Sequence, residues 1–176
     1  MIKTANLELI SCTLEHFEAA LRDKQELAPM LEVNVPNSWP EFPDSIQQGY
    51  EFLRDHPSAL NWWMYLFVHR LDRVLVGAGG FVGRPDAAGI VEIGYSVVPE
   101  YRRRGLASEA ARGLTDYAFA HPEVNEVRAQ TLPDGVASIH ILIKLGMREI
   151  ARDEEVVSWA VRRGDYRRVE AQRAEM

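Results

Sequence analysis

Apolar and polar residues alternate from Leu7 to Cys12, a spacing of two that predicts a short strand. Thr13 then offers a hydroxyl suited to capping a helix whose Leu14, Phe17 and Leu21 recur on one face. Both periods break down between Pro29 and Pro43, an irregular stretch around Trp39; a loop of that length in a compact domain is often functional. Asp44 or Ser45 can open a second helix with Ile46, Tyr50 and Leu53 as its apolar stripe, and His56-Pro57 ends it because a residue before proline is pushed out of the helical region. Trp62 to Arg70 is rich in aromatic and β-branched residues, Leu71-Asp72-Arg73 reads as a turn, and Val74 to Val82 returns, so the pair predicts a hairpin. After a turn at Pro85 to Gly89, Val91 to Val98 is a third long strand. From Ala107 the period becomes helical, with Ala110, Ala111, Leu114, Tyr117 and Ala118 on one side, until His121-Pro122. Val127 to Leu132 is a strand. Asp134 can cap a short helix bearing Val136, Ile139 and Leu142 or Ile143, with Gly146 at its exit. Arg148 to Glu155 and Val156 to Arg163 complete the strands.

This order (strand, two helices, three strands, helix, strand, helix, two strands) predicts an α/β or α+β fold with a mixed sheet. The unit from Val91 to Leu132 should be a right-handed parallel crossover. Neither a repeat nor a low-complexity tract divides the 176 residues, so residues 1–164 are expected to form one domain, followed by a charged tail, 165–176, that frays.

Charge and cysteine content narrow the function classes. The net charge of −6 argues against a nucleic-acid surface, and Arg162, Arg163, Arg167 and Arg168 are interleaved with Asp165 and Glu170. Cys12 is the single cysteine; it permits no internal disulfide and fits a reducing, cytoplasmic compartment, where its apolar strand favours a plain buried thiol over a nucleophile. The N-terminus is too polar for a signal peptide, and no run has the length of a membrane span. His16, His56, His69, His121 and His140 show no metal-ligand spacing, so no metal is expected. Leu75 to Gly83 is glycine-rich but lacks the dinucleotide-binding spacing, and no helical pattern follows it.

The chemistry concentrates between Val91 and Ala110. A strand runs into the basic turn Arg102-Arg103-Arg104-Gly105-Leu106-Ala107-Ser108 and then into a helix. The first turn of a helix leaves N–H groups without internal partners, and these, with the helix dipole, attract an anion. Gly105 and Ala107 let a phosphate approach the main chain, while Arg103 and Arg104 add charge, so the predicted ligand group is a pyrophosphate. The plainer alternative is a solvated basic loop that merely starts a helix. Three arginines at a helix N-terminus oppose its dipole, however, which points to a missing anion.

Arg102-Arg103-Arg104-Gly105-Leu106-Ala107 resembles the Arg/Gln-x-x-Gly-x-Gly/Ala signature of the GNAT superfamily of N-acetyltransferases, as does the lead-in Val97-Val98-Pro99-Glu100-Tyr101. Downstream, Ser138 and Lys144-Leu145-Gly146-Met147 resemble the family's second motif. Glu92-Ile93-Gly94-Tyr95 with Ser138, and Trp39-Pro40 more loosely, look most like the RimJ/RimL-type branch. The resemblance is strongest from about Val74 to Met147.

It implies a mostly antiparallel sheet in which a central parallel pair, here Val91–Val98 and Val127–Leu132, splays apart. Main-chain groups of Val97 and Val98 would then receive the pantetheine arm of acetyl-CoA. The pyrophosphate would lie on Arg103, Arg104, Gly105, Leu106, Ala107 and Ser108, with Ser138 beside the arm. The reaction implied is direct attack of an amine on the thioester. The acceptor is a small molecule or a protein N-terminus, whose α-amine, with a pKa near ~7.7–8.0, loses its proton more readily than lysine at ~10.4. Glu92, on the strand leading to the turn, is the first candidate for general base, with Glu154 or Glu155 in reserve. Many members carry a tyrosine acid where this chain has Leu142, so Ser138 is the substitute candidate for protonating the departing thiolate. The amide of Val98 is the expected donor to the oxyanion. Gly135 stands where related sequences often have an asparagine. Trp39, Trp63 and Tyr65 are candidate walls of an acceptor pocket. The rival reading is a catalytically silent acyl-CoA-binding sensor or subunit. A second copy of the chain could pair along an exposed strand edge, giving a homodimer.

Overall fold

The computed structural model describes residues 1–174. Eight strands form one sheet in the order β1-β2-β3-β4-β5-β6-β8-β7. They are β1 (Ile2–Lys3), β2 (Leu7–Ser11), β3 (Met64–His69), β4 (Val74–Phe81), β5 (Ile90–Val97), β6 (Glu126–Thr131), β7 (Arg148–Arg152) and β8 (Val157–Arg162). Every neighbouring pair is antiparallel except β5 and β6, which run parallel. The helices are α1 (Leu14–Arg22), α2 (Leu27–Leu31), α3 (Asp44–Asp55), α4 (Leu106–Ala120), α5 (Val136–Lys144) and α6 (Arg163–Ala174). The fold is thus mixed α/β, as the element order predicts, and its one parallel pair lies at the centre of a mostly antiparallel sheet, as the family resemblance implies.

The two sheet faces are covered by different helices. Tyr65 of β3 and Phe81 of β4 meet Tyr117 of α4, so their side of the sheet is the α4 side. Met64, one residue earlier and so on the opposite face, lies beside Gly49 of α3, and the Phe17 ring of α1 packs on the same glycine. A Cβ at Gly49 would come within 2.5 Å of that ring, so the glycine is what lets α1 and α3 approach. Thr13 caps α1 as expected; its hydroxyl accepts from the His16 N–H while His16 Nδ1 accepts from the Thr13 N–H, a reciprocal capping box.

Four local expectations change. Leu21, assigned to the buried stripe of α1, is exposed. The stretch from Pro29 is partly ordered by α2 and by a bridge from Asn34 to Val74. Asp134 does not cap α5: Gly135 holds that position and no side chain bonds the first turn. The charged segment after Gly164, expected to fray, is the helix α6. Its Tyr166 is buried and donates to Asp116 at 2.7 Å, and Arg112 pairs with Glu170 at 2.7 Å, which docks it on α4. Glu175 and Met176 of that segment lie outside the described residues.

Candidate active site

The parallel pair separates part-way along. Ile90 to Ile93 face Glu126 to Ala129, and there the pairing stops. Beyond it β5 continues against β4 alone, from Gly94 to Val97, while Gln130 and Thr131 of β6 pair only with β8. A wedge therefore opens in the middle of the sheet, with β5 backbone on one side. The β4–β5 ladder fixes which groups face it. Val82 N–H donates to the Glu92 carbonyl at 2.9 Å, and Val98 N–H donates to the Val76 carbonyl at 2.8 Å. In an antiparallel ladder the alternate residues point away, so the amides of Tyr95 and Val97 are directed into the wedge. The Val97 carbonyl is taken by Arg102 Nε at 3.0 Å. The Val98 amide, expected to serve an oxyanion, is already committed to β4, while the register turns the Tyr95 and Val97 N–H groups toward the wedge.

The strand leaves the wedge through a single turn of 3-10 helix, Pro99–Tyr101, and enters α4 through the arginine turn. Arg103 and Gly105 both adopt left-handed backbone conformations, with φ of 58° and 78°. Gly105 is the N-cap residue, and no side chain satisfies the first turn of α4. The N–H groups of Leu106, Ala107 and Ser108 are therefore presented together at the positive end of a 15-residue helix. The arginines divide their work. Arg102 pairs with Glu41 and holds Val97. Arg104 stacks over the Tyr101 ring at 4.4 Å, near Asp72 at 3.9 Å. Arg103 makes no hydrogen bond or ion pair among the described residues and is exposed.

On the α4 side of β5, the Tyr95 hydroxyl is buried and is the one side-chain oxygen or nitrogen so buried, among the described residues, that lacks a hydrogen-bond partner. Burial pushes it up to about 12, against a smaller opposing influence from the adjacent Ser138 hydroxyl. Ser138 thus lies beside Tyr95 without satisfying its oxygen. Leu142, one turn further along α5, is wholly packed in the core. Tyr95 has no role of its own in the sequence reading, and the structure makes it a candidate through this buried hydroxyl. Its signal was present in the strand alternation, but periodicity alone does not say which face borders the wedge.

Glu92 projects from the opposite face. Two residues before Gly94, it stands next to the point where the strands part, across from Arg128 on β6. Burial raises the Glu92 carboxyl above the usual carboxylate range, partly offset by the Arg128 charge. Glu154 and Glu155 are exposed on the β7–β8 turn and line a separate cleft of about 540 Å³ with Leu132, Pro133 and Asp134.

The aromatic candidates separate sharply. Trp39 is 1% exposed, with Nε1 donating to the Gly77 carbonyl at 3.3 Å, and Tyr65 is 1% exposed, donating to the Asn61 carbonyl at 2.8 Å. Both belong to the core, and neither offers a face to an acceptor. Trp63 does: with Phe52, Met64, Gly80, Val82 and Gly94 it lines an open cavity of about 450 Å³. Cys12 is buried, which pushes its thiol well up and leaves it inert. Among the described residues no group of three or more His, Cys, Asp or Glu is gathered around a common point. No helix there is long and apolar enough to cross a membrane.

Comparison with known proteins bears on this geometry. Residues 6–148 match the acetyltransferase (GNAT) domain family. The uncharacterised N-acetyltransferase YjdG of Bacillus subtilis (strain 168) is 26% identical over 161 residues, spanning 90% of this chain and 96% of that protein. Among solved structures, mutant forms of the spermidine/spermine N-acetyltransferase SpeG from Vibrio cholerae superpose with a TM-score of 0.66 at 15% identity, covering 95% of this chain and 99% of that one. A Vibrio cholerae structure described as a ribosomal-protein-serine acetyltransferase gives 0.62 at 16% identity, covering 92% and 96%. At such identities the structural likeness speaks to the fold.

Proposed function

The chain belongs to the GNAT acetyltransferase family and is an acyltransferase; from that premise we propose that it moves the acetyl group of acetyl-CoA directly to an amine, at the wedge between β5 and β6. The observation that carries the reading is the end of parallel pairing at Ile93 and Ala129, with free amides on one side and an uncapped helix N-terminus beyond. The residues fit coenzyme A in two ways. Three N–H groups, a left-handed glycine and an uncommitted Arg103 make a cradle for a diphosphate. The unpartnered Tyr95 hydroxyl, buried beside Ser138, awaits a polar group.

Acetyl-CoA, when bound, supplies a thioester activated toward amines. Leu106, Ala107 and Ser108 would hold its diphosphate through their amides, with the exposed Arg103 as counter-charge and Arg104 close to the turn. The amides of Tyr95 and Val97 donate to the arm and to the acyl oxygen, where they stabilise negative charge as it develops. Glu92 accepts the proton of the incoming amine, directly or through water, and the burial that raises its pKa makes it a stronger base than an ordinary exposed carboxylate. Tyr95 Oη and Ser138 Oγ hold a proton for the departing sulfur, the task for which Leu142 has no polar atom. The motif Glu92-Ile93-Gly94-Tyr95 together with Ser138 supports placement near the RimJ/RimL-type branch.

The test is release of free thiol from acetyl-CoA across a panel of small amines and short peptides. Thiol release that depends on an amine, with acetyl-amine found by mass spectrometry, is expected. Binding of coenzyme A without turnover on any amine would contradict transfer and favour a sensor.

A further inference from the structure

The cavity bordered by Trp63 lies beside the point where the parallel pairing ends. Gly94 is the first β5 residue past the point where the parallel pairing ends, and it lines this cavity. By strand alternation Gly94 and Glu92 share a sheet face, so the cavity and the carboxylate flank the same opening. Val82, also on the wall, is bonded through its N–H to the Glu92 carbonyl.

Three features of the wall are chemical. Phe52 and Trp63 stack with centroids 3.8 Å apart, and His56 stacks on the far side of Phe52 at 4.6 Å. The Trp63 ring is fixed by its Nε1 bond to the Gly49 carbonyl at 3.2 Å, giving a rigid flat surface. The polar lining is confined to Ser45 and Gln48; none of the described residues on this wall is Lys, Arg, Asp or Glu. Finally, a Cβ built at Gly94 meets nothing within 4 Å, so the space in front of that glycine is free. A cavity of about 450 Å³ holds a small organic group.

Resting on the acetyl-transfer reading, we infer that this cavity receives the non-reacting part of the acceptor and that this part is an uncharged aromatic group a few bonds from the amine. An uncharged wall gives no counter-charge to a second ammonium, so a linear polyamine would lose its hydration there without repayment. An aromatic ring buries apolar area against Trp63 and gains stacking geometry. The amine then points toward Glu92 and the wedge. Two sources share this chemistry, a free arylalkylamine and a peptide beginning with an aromatic residue, and both expose a primary amine at the same reach.

The experiment compares phenethylamine, tryptamine, a Trp-Gly-Gly peptide and spermidine as acceptors, by thiol release and by equilibrium binding in the presence of coenzyme A. Aromatic amines are expected to exceed spermidine in kcat/KM by about tenfold or more. Their ranking against the peptide identifies the source. Gly94→Val puts its Cβ into space with no neighbour within 4 Å and is expected to lower kcat/KM for the preferred aromatic acceptor about tenfold or more. Its coenzyme A affinity and unfolding midpoint should be unchanged. Trp63→Phe, which keeps a ring, should weaken binding less than Gly94→Val. Spermidine equal to or better than the aromatic amines, with turnover intact, overturns the pocket assignment and leaves acetyl transfer standing. Aromatic amines that bind but are never acetylated overturn transfer and leave the pocket. Gly94→Val turning over aromatic amines at the wild-type rate also removes the proposal.

Discussion

Glu92 sits where burial works against its charge. Its folded-state pKa is raised, so between the unfolded value and the raised one the native chain holds the extra proton. Stability from this group therefore falls as pH rises through that window, and the penalty persists above it. Glu92→Gln should remove the penalty and the base together: the unfolding midpoint at neutral pH should hold or rise, while kcat/KM falls about 10²-fold or more. In the wild type, kcat/KM should rise with pH along a limb displaced above the ordinary carboxylate range, and that limb should vanish in the variant. Tyr95 makes a parallel case. A buried hydroxyl without a partner costs about 1–3 kcal/mol, so Tyr95→Phe should stabilise the fold in urea titration. The same change should lower kcat, most with the more basic thiol leaving groups, and leave KM nearly unchanged. Loss of stability instead would mean that the hydroxyl is a structural bond. At this scale motif spacing alone singles out Glu92, Ser138 and Leu142, and the structure puts Glu92 beside the end of the parallel pairing, Ser138 beside Tyr95 and Leu142 in the core. The same motif contains Tyr95 without singling it out, and Trp39 and Tyr65, candidate pocket walls by type, are core residues, because residue type does not distinguish a core aromatic from a pocket wall.

At the level of elements, the strand–turn–helix from β5 to α4 joins fold to chemistry. Its glycine at 105 occupies a left-handed cap, where a Cβ is disfavoured by about 1 kcal/mol. Gly105→Ala should accordingly lower stability by roughly that amount and weaken coenzyme A binding, whereas a substitution on the exposed face of α4 should do neither. A fluorescence-monitored denaturant titration beside calorimetry separates the two effects. This unit was legible because three signals agreed: the apolar run of β5, the glycine-bearing basic turn and the helical period after it. The capping of α5 was not, since Asp134 has the right chemistry but Gly135 takes the cap position. Nor was α6 visible. Half of its residues are charged, with no apolar stripe, and its docking rests on Tyr166, on the Arg112–Glu170 pair and on Arg163 donating to the Phe119 and Val124 carbonyls. Contacts that long in sequence leave no local period.

Over the whole molecule, the sheet works as a partition. Helix α4 and the turn before it face the side where Tyr95 and Ser138 lie, while Glu92, Gly94 and the Trp63 cavity open on the other. The two faces meet where the pairing ends after Ile93 and Ala129, and in the proposed reaction this lets an amine and a thioester approach each other from different binding surfaces. The element order and the parallel crossover could be read from periodicity. The partition could not, because it depends on where one ladder stops. In the proposed reaction the head of α4 anchors the diphosphate, and in an acidic chain of net charge −6 the uncapped helix N-terminus and Arg103 are the local positive features available to hold it. The direct measurement is calorimetric titration of the folded chain with coenzyme A and, separately, with pantetheine, which has the arm but no diphosphate. Coenzyme A should bind with a dissociation constant below about 1 mM and at least about tenfold more tightly than pantetheine. Equal affinity for the two, or no heat and no competition from coenzyme A at millimolar concentration, would contradict the cradle and the acetyl transfer built on it.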